Sequence, residues 1–157
     1  MAWLEAGWSE NGWRSGRGQV VYTYDSQAGE WVFHERYPIA DGDRIWIHLE
    51  SASGRATGAV EWTAWLWWRG EWRELATVSL PAGGRAQVEE FVEVHVDGRA
   101  GGAFAVPRIE VDNVWLRGGD GESSPWRGEV DTAVADSRGR YCVDWRQRYD
   151  TWSAGDC

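Results

Sequence analysis

The stretch that most constrains this chain is 60–80, VEWTAWLWWRGEWRELATVSL, which alternates with a period of two residues. Side chains of a β-strand point alternately to opposite faces, so every second residue shares a face. One face of the first half is wholly apolar and is made by Val60, Trp62, Ala64, Leu66 and Trp68. A helix would carry Trp on every side and would have no polar stripe. The pattern predicts a hairpin that turns at 69–71, with one face in a core and the other lining a groove.

The rest of the chain repeats this strand-and-turn pattern. About ten short segments with strand character follow one another, separated by Gly-rich turns, and no segment has helical periodicity. The predicted strands are 3–8, 19–24, 30–37, 44–50, the two arms of 60–80, 86–96 and 105–117, with 129–134 and 140–148 as weaker candidates. The sequence therefore predicts an all-β fold, an antiparallel two-sheet β-sandwich of jelly-roll or concanavalin-like type. We expect residues 1–157 to form a single domain.

Composition limits the partners of this chain. Its net charge is −9, so it has no basic excess with which to neutralise the phosphates of a nucleic acid. No long apolar run is present, and we expect no membrane span. All 16 basic residues are Arg, which fits a GC-rich bacterial source as well as any physical need.

Tryptophan is unusually abundant, with 14 residues in the chain. Burying an indole without a partner for its N–H is unfavourable, so some of these side chains are expected to form a surface that binds a flat, extended or apolar ligand. The alternative for any one Trp is a place in the core of a β-sandwich.

Cys142 and Cys157 are the two cysteines. A bridge between them would tie the C-terminal tail to a strand and would stabilise the fold by roughly 3 kcal/mol on the chain-entropy estimate. It would also indicate an oxidising, extracellular location for a secreted protein. Two free thiols are the alternative.

The sequence predicts no metal site and no cofactor. His34, His48 and His95 each lie on a predicted strand without a second ligand at zinc spacing. The acidic turns at 41–43 and 120–122 lack the ligand pattern of a calcium loop, so we interpret them as turns. No nucleophilic Ser or Cys motif and no phosphate-binding Gly loop is present.

Carboxylates placed among apolar residues are the candidate catalytic groups. Glu5 lies in such a segment, Glu89 and Glu90 lie in a valine-rich one, and Glu129 follows Trp126 closely. An apolar surrounding raises the pKa of a carboxyl group, because desolvation disfavours the charged form. Two such groups that share a proton can activate water and protonate a leaving group. The alternative for each is a solvated position on an edge strand.

Four segments together resemble motifs of a known family: 5–8 (EAGW), 34–43 (HERYPIADGD), 87–94 (QVEEFVEV) with 105–107 (AVP), and 126–130 (WRGEV). They are similar to the "EAGW" and "GGEV" of the neprosin-type prolyl endopeptidases and to the "YEWYP", "GD-I" and "AEWIVE…VP" of the eqolisins. Both groups are glutamic peptidases. The resemblance implies a two-sheet sandwich bent around a substrate groove and acid-pH attack of water on a peptide bond.

Carried over by position, the resemblance makes Glu5 one half of the catalytic pair. The second half would be Glu89 or Glu90, because a shift of one residue in register exchanges the faces of a strand. Glu129 competes for the same role, and Glu93 is a weaker choice. The groove would be walled by Trp8, Trp65, Trp67 and either Trp62 or Trp68. An inactive or truncated relative of the peptidases stays open as an alternative.

A second hypothesis is a non-catalytic module that binds a polysaccharide. An indole presents a large flat apolar surface to a sugar ring, and Trp65, Trp67 and Trp72 would form the platform. A third is a structural domain whose aromatic face meets another protein. The sequence does not determine the oligomeric state.

Overall fold

The computed structural model describes residues 1–10, 18–52, 58–81, 87–93, 105–112, 114–126, 140–148 and 150–157. All regular structure in these ranges is β-strand, and every strand pair is antiparallel. The prediction of an all-β antiparallel fold is confirmed. The chain divides into two compact units, Met1–Gln87 and Val88–Cys157. We describe each unit by itself, and the single-domain expectation stays a prediction.

Unit 1 contains two three-stranded sheets. Its strands are β1 Leu4–Ser9, β2 Val20–Asp25, β3 Glu30–Pro38, β4 Trp46–Ser51, β5 Ala59–Trp68 and β6 Glu71–Pro81. The sheet orders are β1-β2-β3 and β4-β5-β6, so each sheet is a simple meander of neighbours in sequence. All six strands fall where the alternating pattern predicts them, to within two residues at most ends.

One hydrophobic core is shared by the two sheets of unit 1. Its fully or nearly fully buried members are Val21, Tyr37, Ala64, Leu66 and Leu75. Partly buried side chains pack against them from both sheets, namely Leu4, Ala6, Ile39, Ile45, Ile47 and Trp68. Ala64 and Leu66 are 0% exposed, so the apolar face of β5 does turn to the core. Its other face therefore points away from the core.

The β5–β6 hairpin closes through Arg69 and Gly70, with φ angles of 52° and 90°. Positive φ at both central residues matches the twist of the strands in a two-residue hairpin, and Gly adopts it at little cost. The register shifts once, because Ala64 opposes Ala76 while Trp65 opposes Glu74. This bulge leaves Leu75 as the extra residue, and its side chain is buried in the core.

Unit 2 contains β7 Ile109–Val111, β8 Trp115–Arg117, β9 Ser123–Pro125, β10 Tyr141–Gln147 and β11 Thr151–Asp156. The sheet orders are β10-β11-β7 and β8-β9. Cys142 of β10 is bonded to Cys157, which lies just beyond β11. Gly155 has no space for a side chain, because a Cβ there would lie 2.8 Å from the Cα of Arg108.

Several predicted strands of this half differ from the structure. Residues 87–93 form no strand, although their alternation predicted one, because alternation alone cannot supply a hydrogen-bonding neighbour. The strand predicted at 105–117 is divided into β7 and β8 around Asp112, a residue type depleted in strands. β9 lies between the strands predicted at 105–117 and 129–134, and neither β9 nor β11 was predicted. The candidate strand at 129–134 lies outside the described residues.

Candidate functional site

The candidate site is the face of the β4-β5-β6 sheet that points away from the core of unit 1, which we call the outer face. Directly opposed residues on neighbouring strands point to the same side of an antiparallel sheet, so the register defines rows across this face. Counting from the Arg69-Gly70 turn, these rows are Trp46, Trp67 and Trp72 (the aromatic row); His48, Trp65 and Glu74 (the mixed row); and Glu50, Thr63 and Thr77 (the polar row).

The indoles of the aromatic row contact one another edge to face. The ring centroids of Trp46 and Trp67 are 6.5 Å apart, and those of Trp67 and Trp72 are 5.3 Å apart. The Trp72 ring also lies 5.7 Å from the ring of His48, which belongs to the far strand of the sheet. Trp72 thus reaches across β5 and is held at two places.

The aromatic row remains open to solvent. Trp46 is 46% exposed and Trp72 is 45% exposed, whereas Trp67 between them is half-buried. Exposed indoles that form one contiguous patch are typical of interaction surfaces rather than of isolated surface residues. The row therefore offers two accessible rings on a fixed support.

The mixed row and the polar row carry polar groups that form hydrogen bonds with one another. The indole Nε1 of Trp65 donates to Oε1 of Glu50 at 2.9 Å. The hydroxyl groups of Thr63 and Thr77 are 2.9 Å apart, and Thr77 Oγ1 donates to Oε1 of Glu74 at 3.2 Å. These bonds hold carboxylate and hydroxyl oxygens beside the aromatic row.

Sequence reasoning named Trp65, Trp67 and Trp72 but missed Trp46 and His48. The signal was present, because alternation in 44–50 separates Trp46 and His48 from the inward-facing Ile45 and Ile47. Only the register of β4 against β5 shows that Trp46 directly opposes Trp67.

The other tryptophans expected to line the groove lie on inward faces. Trp68 packs on the core with its ring 5.6 Å from that of Tyr37. Trp62 is half-buried and shares the face of Ala64. Trp8 is also half-buried and shares the face of Leu4 and Ala6 on β1. The outer face therefore does not include Trp8, Trp62 or Trp68.

Glu5 is half-buried and lies on the outward face of the β1-β2-β3 sheet. Its Oε1 accepts a hydrogen bond from Nε1 of Trp3 at 2.5 Å. In register it opposes Tyr24, whose ring packs 4.6 Å from the ring of Trp31. The carboxyl group thus has aromatic neighbours, as its sequence context predicts.

The tryptophans around Glu5 are not those that the sequence analysis expected to wall its groove. Leu4 and Ala6, on either side of Glu5, pack on the core that Leu66 also fills. Glu5 therefore lies on the outward face of the β1-β2-β3 sheet, whereas Trp65 and Trp67 lie on the outward face of the β4-β5-β6 sheet. The structure does not bring Glu5 and these indoles together.

The proposed partners of Glu5 belong to unit 2 or lie outside the described residues. Oε2 of Glu90 accepts a hydrogen bond from Nε1 of Trp152 at 3.2 Å, and Trp152 is a buried residue of β11. Glu90 is exposed as a residue, but partial desolvation of its carboxyl group raises the pKa above its usual 4.5, and the hydrogen bond from Trp152 opposes this rise. Glu89 and Glu90 are both exposed residues, and Glu129 lies outside the described residues. The pairing of Glu5 with a second carboxylate stays a prediction.

Within the described ranges, no group of three or more His, Cys, Asp and Glu side chains is placed to hold a metal ion. The same ranges contain no helix long and apolar enough to cross a membrane. Comparison with models of protein families, with curated proteins and with solved structures finds no match for this chain.

Proposed function

We propose that this protein binds a polysaccharide chain through the outer face of unit 1. The observation that carries the proposal is the aromatic row, in which Trp46, Trp67 and Trp72 stand in register on three adjacent strands. A sugar ring presents an apolar face of C–H groups, and an exposed indole is the side chain with the largest flat surface to cover it.

The exposed area of Trp72 sets the free energy that a sugar ring gains by stacking on it. A Trp side chain has a surface of about 250 Å², so an exposure of 45% leaves about 110 Å² in contact with water. A sugar ring that covers about half of this area removes about 55 Å² from water. At about 25 cal/mol per Å², the contact contributes about 1.4 kcal/mol, or roughly a tenfold change in Kd.

The mixed and polar rows supply the hydrogen bonds that would fix the sugar. Carboxylate oxygens of Glu50 and Glu74 accept from sugar hydroxyls, and the hydroxyl of Thr63 can donate or accept. Because these side chains already bond to one another, less conformational entropy is lost when a ligand orders them.

The proposal also covers the architecture of the whole chain and the compartment in which the protein is found. We propose that the whole chain forms a two-sheet β-sandwich of jelly-roll or concanavalin-like type, which the shared core of unit 1 supports. We also propose that the protein is secreted, because the Cys142–Cys157 bridge persists in an oxidising compartment.

The test is retention on immobilised or soluble polysaccharides, followed by calorimetric titration with the best oligosaccharide. Trp72→Ala is expected to weaken binding about tenfold, and Trp46→Ala by a similar factor. Trp115→Ala is the matched control, because Trp115 is 56% exposed but belongs to β8 in unit 2. Equal losses in Trp72→Ala and Trp115→Ala, or no retention on any polysaccharide, would refute the proposal. A stable oligomer that hides Trp72 would favour the assembly hypothesis instead.

Glu90 favours a second candidate function, an acid hydrolase resembling the glutamic peptidases. Partial desolvation raises the pKa of Glu90, and its Oε2 accepts a hydrogen bond from Nε1 of Trp152 at 3.2 Å, which makes this carboxyl group the candidate general acid. The assay is peptide cleavage between about pH 3 and pH 6, where such a group operates. Loss of cleavage in Glu90→Gln would support Glu90 as the acid, and Glu5→Gln tests Glu5 separately. Cleavage unchanged in either variant would remove that residue from the mechanism.

A further inference from the structure

We infer that the outer face selects glycans that carry protonated amino sugars over neutral and acidic glycans. The inference rests on the proposed function and names the ligand class of the same site. Its basis is the sign of the charge that the strands place around the aromatic row.

The described strand positions of the outer face carry three carboxylates and one histidine, His48, but no arginine. Glu50, Glu61 and Glu74 lie on the same side of the sheet as the aromatic row, each on a different strand. The whole chain carries a net charge of −9, which adds a field of the same sign. A cationic ligand is therefore attracted to this face, and a uronate or sulfate group is repelled.

Glu74 is the carboxylate best placed to act on such a ligand. It follows Trp72 by two residues on the same face of β6, a backbone distance of about 7 Å at strand spacing. Its Oε1 accepts from Thr77, and among the described residues no basic side chain forms an ion pair with its carboxylate. Its charge is therefore available to an ammonium group on a sugar that stacks on Trp72.

Glu50 is expected to contribute less. Its Oε1 already accepts from Trp65, and its Oε2 lies 3.6 Å from Nε2 of His48. A protonated His48 would offset the charge of Glu50, whereas the guanidinium of Arg36 donates to the backbone carbonyl of Glu74 at 3.3 Å and not to its carboxylate. We therefore expect the loss of the Glu74 charge to weaken the binding of an amino sugar more than the loss of the Glu50 charge.

The aromatic row itself also favours a cation. An ammonium group within about 6 Å of an indole centroid is attracted by the negative face of the ring, and Trp gives the strongest such interaction. An acetylated amine loses its charge but keeps the sugar ring that stacks. The comparison of free and acetylated amino sugars therefore separates the charge from the stacking.

The experiment is calorimetric titration with three oligomers of equal length, made of glucosamine, N-acetylglucosamine and glucose. At about pH 5.5 the amine is protonated and ordinary Glu side chains are charged. We expect glucosamine oligomers to bind about tenfold more tightly at low salt, and high salt to reduce this advantage because exposed charges are screened. Glu74→Gln is expected to weaken glucosamine binding by about threefold to fivefold, and Glu50→Gln by less. Both variants should change the binding of the two neutral oligomers less, because the Gln amide oxygen still accepts from a sugar hydroxyl.

Glu71→Gln is the matched control. Glu71 lies on the same strand, is exposed, forms an ion pair with Arg73 and opposes Trp68 rather than an outward residue. It should leave the binding of all three oligomers unchanged. Equal binding of glucosamine and N-acetylglucosamine, both weakened by Trp72→Ala, would overturn the inference and leave the proposed function standing. Lack of binding by all three oligomers would overturn the inference, and the proposed function would fall with it only if no other polysaccharide retained the protein.

Discussion

The assignment of the two faces of β5 can be tested by a pair of leucine substitutions. Leu66 is 0% exposed, whereas Leu49 on the neighbouring strand β4 is 40% exposed. Both belong to the inward face of the same sheet, and each is replaced by Ala. The site depends on this assignment, because a shift of one residue would turn Trp67 inward and Leu66 outward.

The magnitude follows from the burial of each side chain. Leu→Ala removes three carbons, which at about 0.8 kcal/mol each gives about 2.4 kcal/mol for a fully buried residue. The cavity left in a packed core adds to this, so Leu66→Ala is expected to lower the free energy of unfolding by about 3 kcal/mol. Two-fifths of the surface of Leu49 remains exposed to solvent, and its removal leaves no enclosed cavity. The Leu49→Ala substitution should therefore lower the free energy of unfolding by only about 1 kcal/mol.

The assay must report on unit 1 rather than on the whole chain, because two compact units need not unfold together. Hydrogen exchange measured on peptides from β5 gives the local free energy of opening in each variant. A difference of about 2 kcal/mol corresponds to roughly a thirtyfold difference in exchange rate. A cost for Leu49→Ala equal to or larger than that for Leu66→Ala would refute the assigned faces, and with them the outer face.

Three further outcomes follow from the described residues. Reduction of Cys142–Cys157, which are 15 residues apart, is expected to lower the free energy of unfolding of unit 2 by about 3 kcal/mol, measured by urea titration with and without reductant. Burial and, secondarily, the charge of Arg36 lower the pKa of His34 below 6.5, so the unfolded chain binds a proton more readily than the folded one. Stability of unit 1 should therefore fall as the pH drops below about 6.5, and a His34→Gln variant that kept the same pH dependence would contradict this. Burial raises the pKa of Glu90, so its stabilising contribution is present below pH 4.5 and is lost as the pH rises through the raised value. Glu90→Gln should flatten that slope in unfolding measured on unit 2, and an unchanged slope would show that Glu90 is not its source.

Alternation in the sequence was sufficient to predict the strands of unit 1. The inward face of β5 was predicted residue by residue, because the pleat of a strand fixes which side chains share a side. The turn at Arg69 and Gly70 was predicted for the same local reason. The strands of unit 2 were predicted less well, since three-residue strands such as β7, β8 and β9 are too short to show a period.

The candidate site was only partly predictable. Trp65, Trp67 and Trp72 were recognised as a platform, but the place of Trp46 depends on the pairing of β4 with β5. The expectation that Glu5 and Trp65 share a groove stays a prediction, and the structure places each on the outward side of a different sheet. The sequence shows which residues share a face of a strand. It does not show with which other strands that strand pairs or which sheet packs against it.

The sequence by itself determined an all-β chain, the inward and outward sides of its clearest strands and an excess of indoles beyond the needs of the core. These properties are local, because they follow from the geometry of the pleat and from the cost of burying each side chain. The tertiary structure alone decided that three indoles align across β4, β5 and β6 and that Glu5 belongs to the outward face of the other sheet. Register and sheet packing join residues far apart in the chain, and they are set by how the two apolar faces fit together in the core.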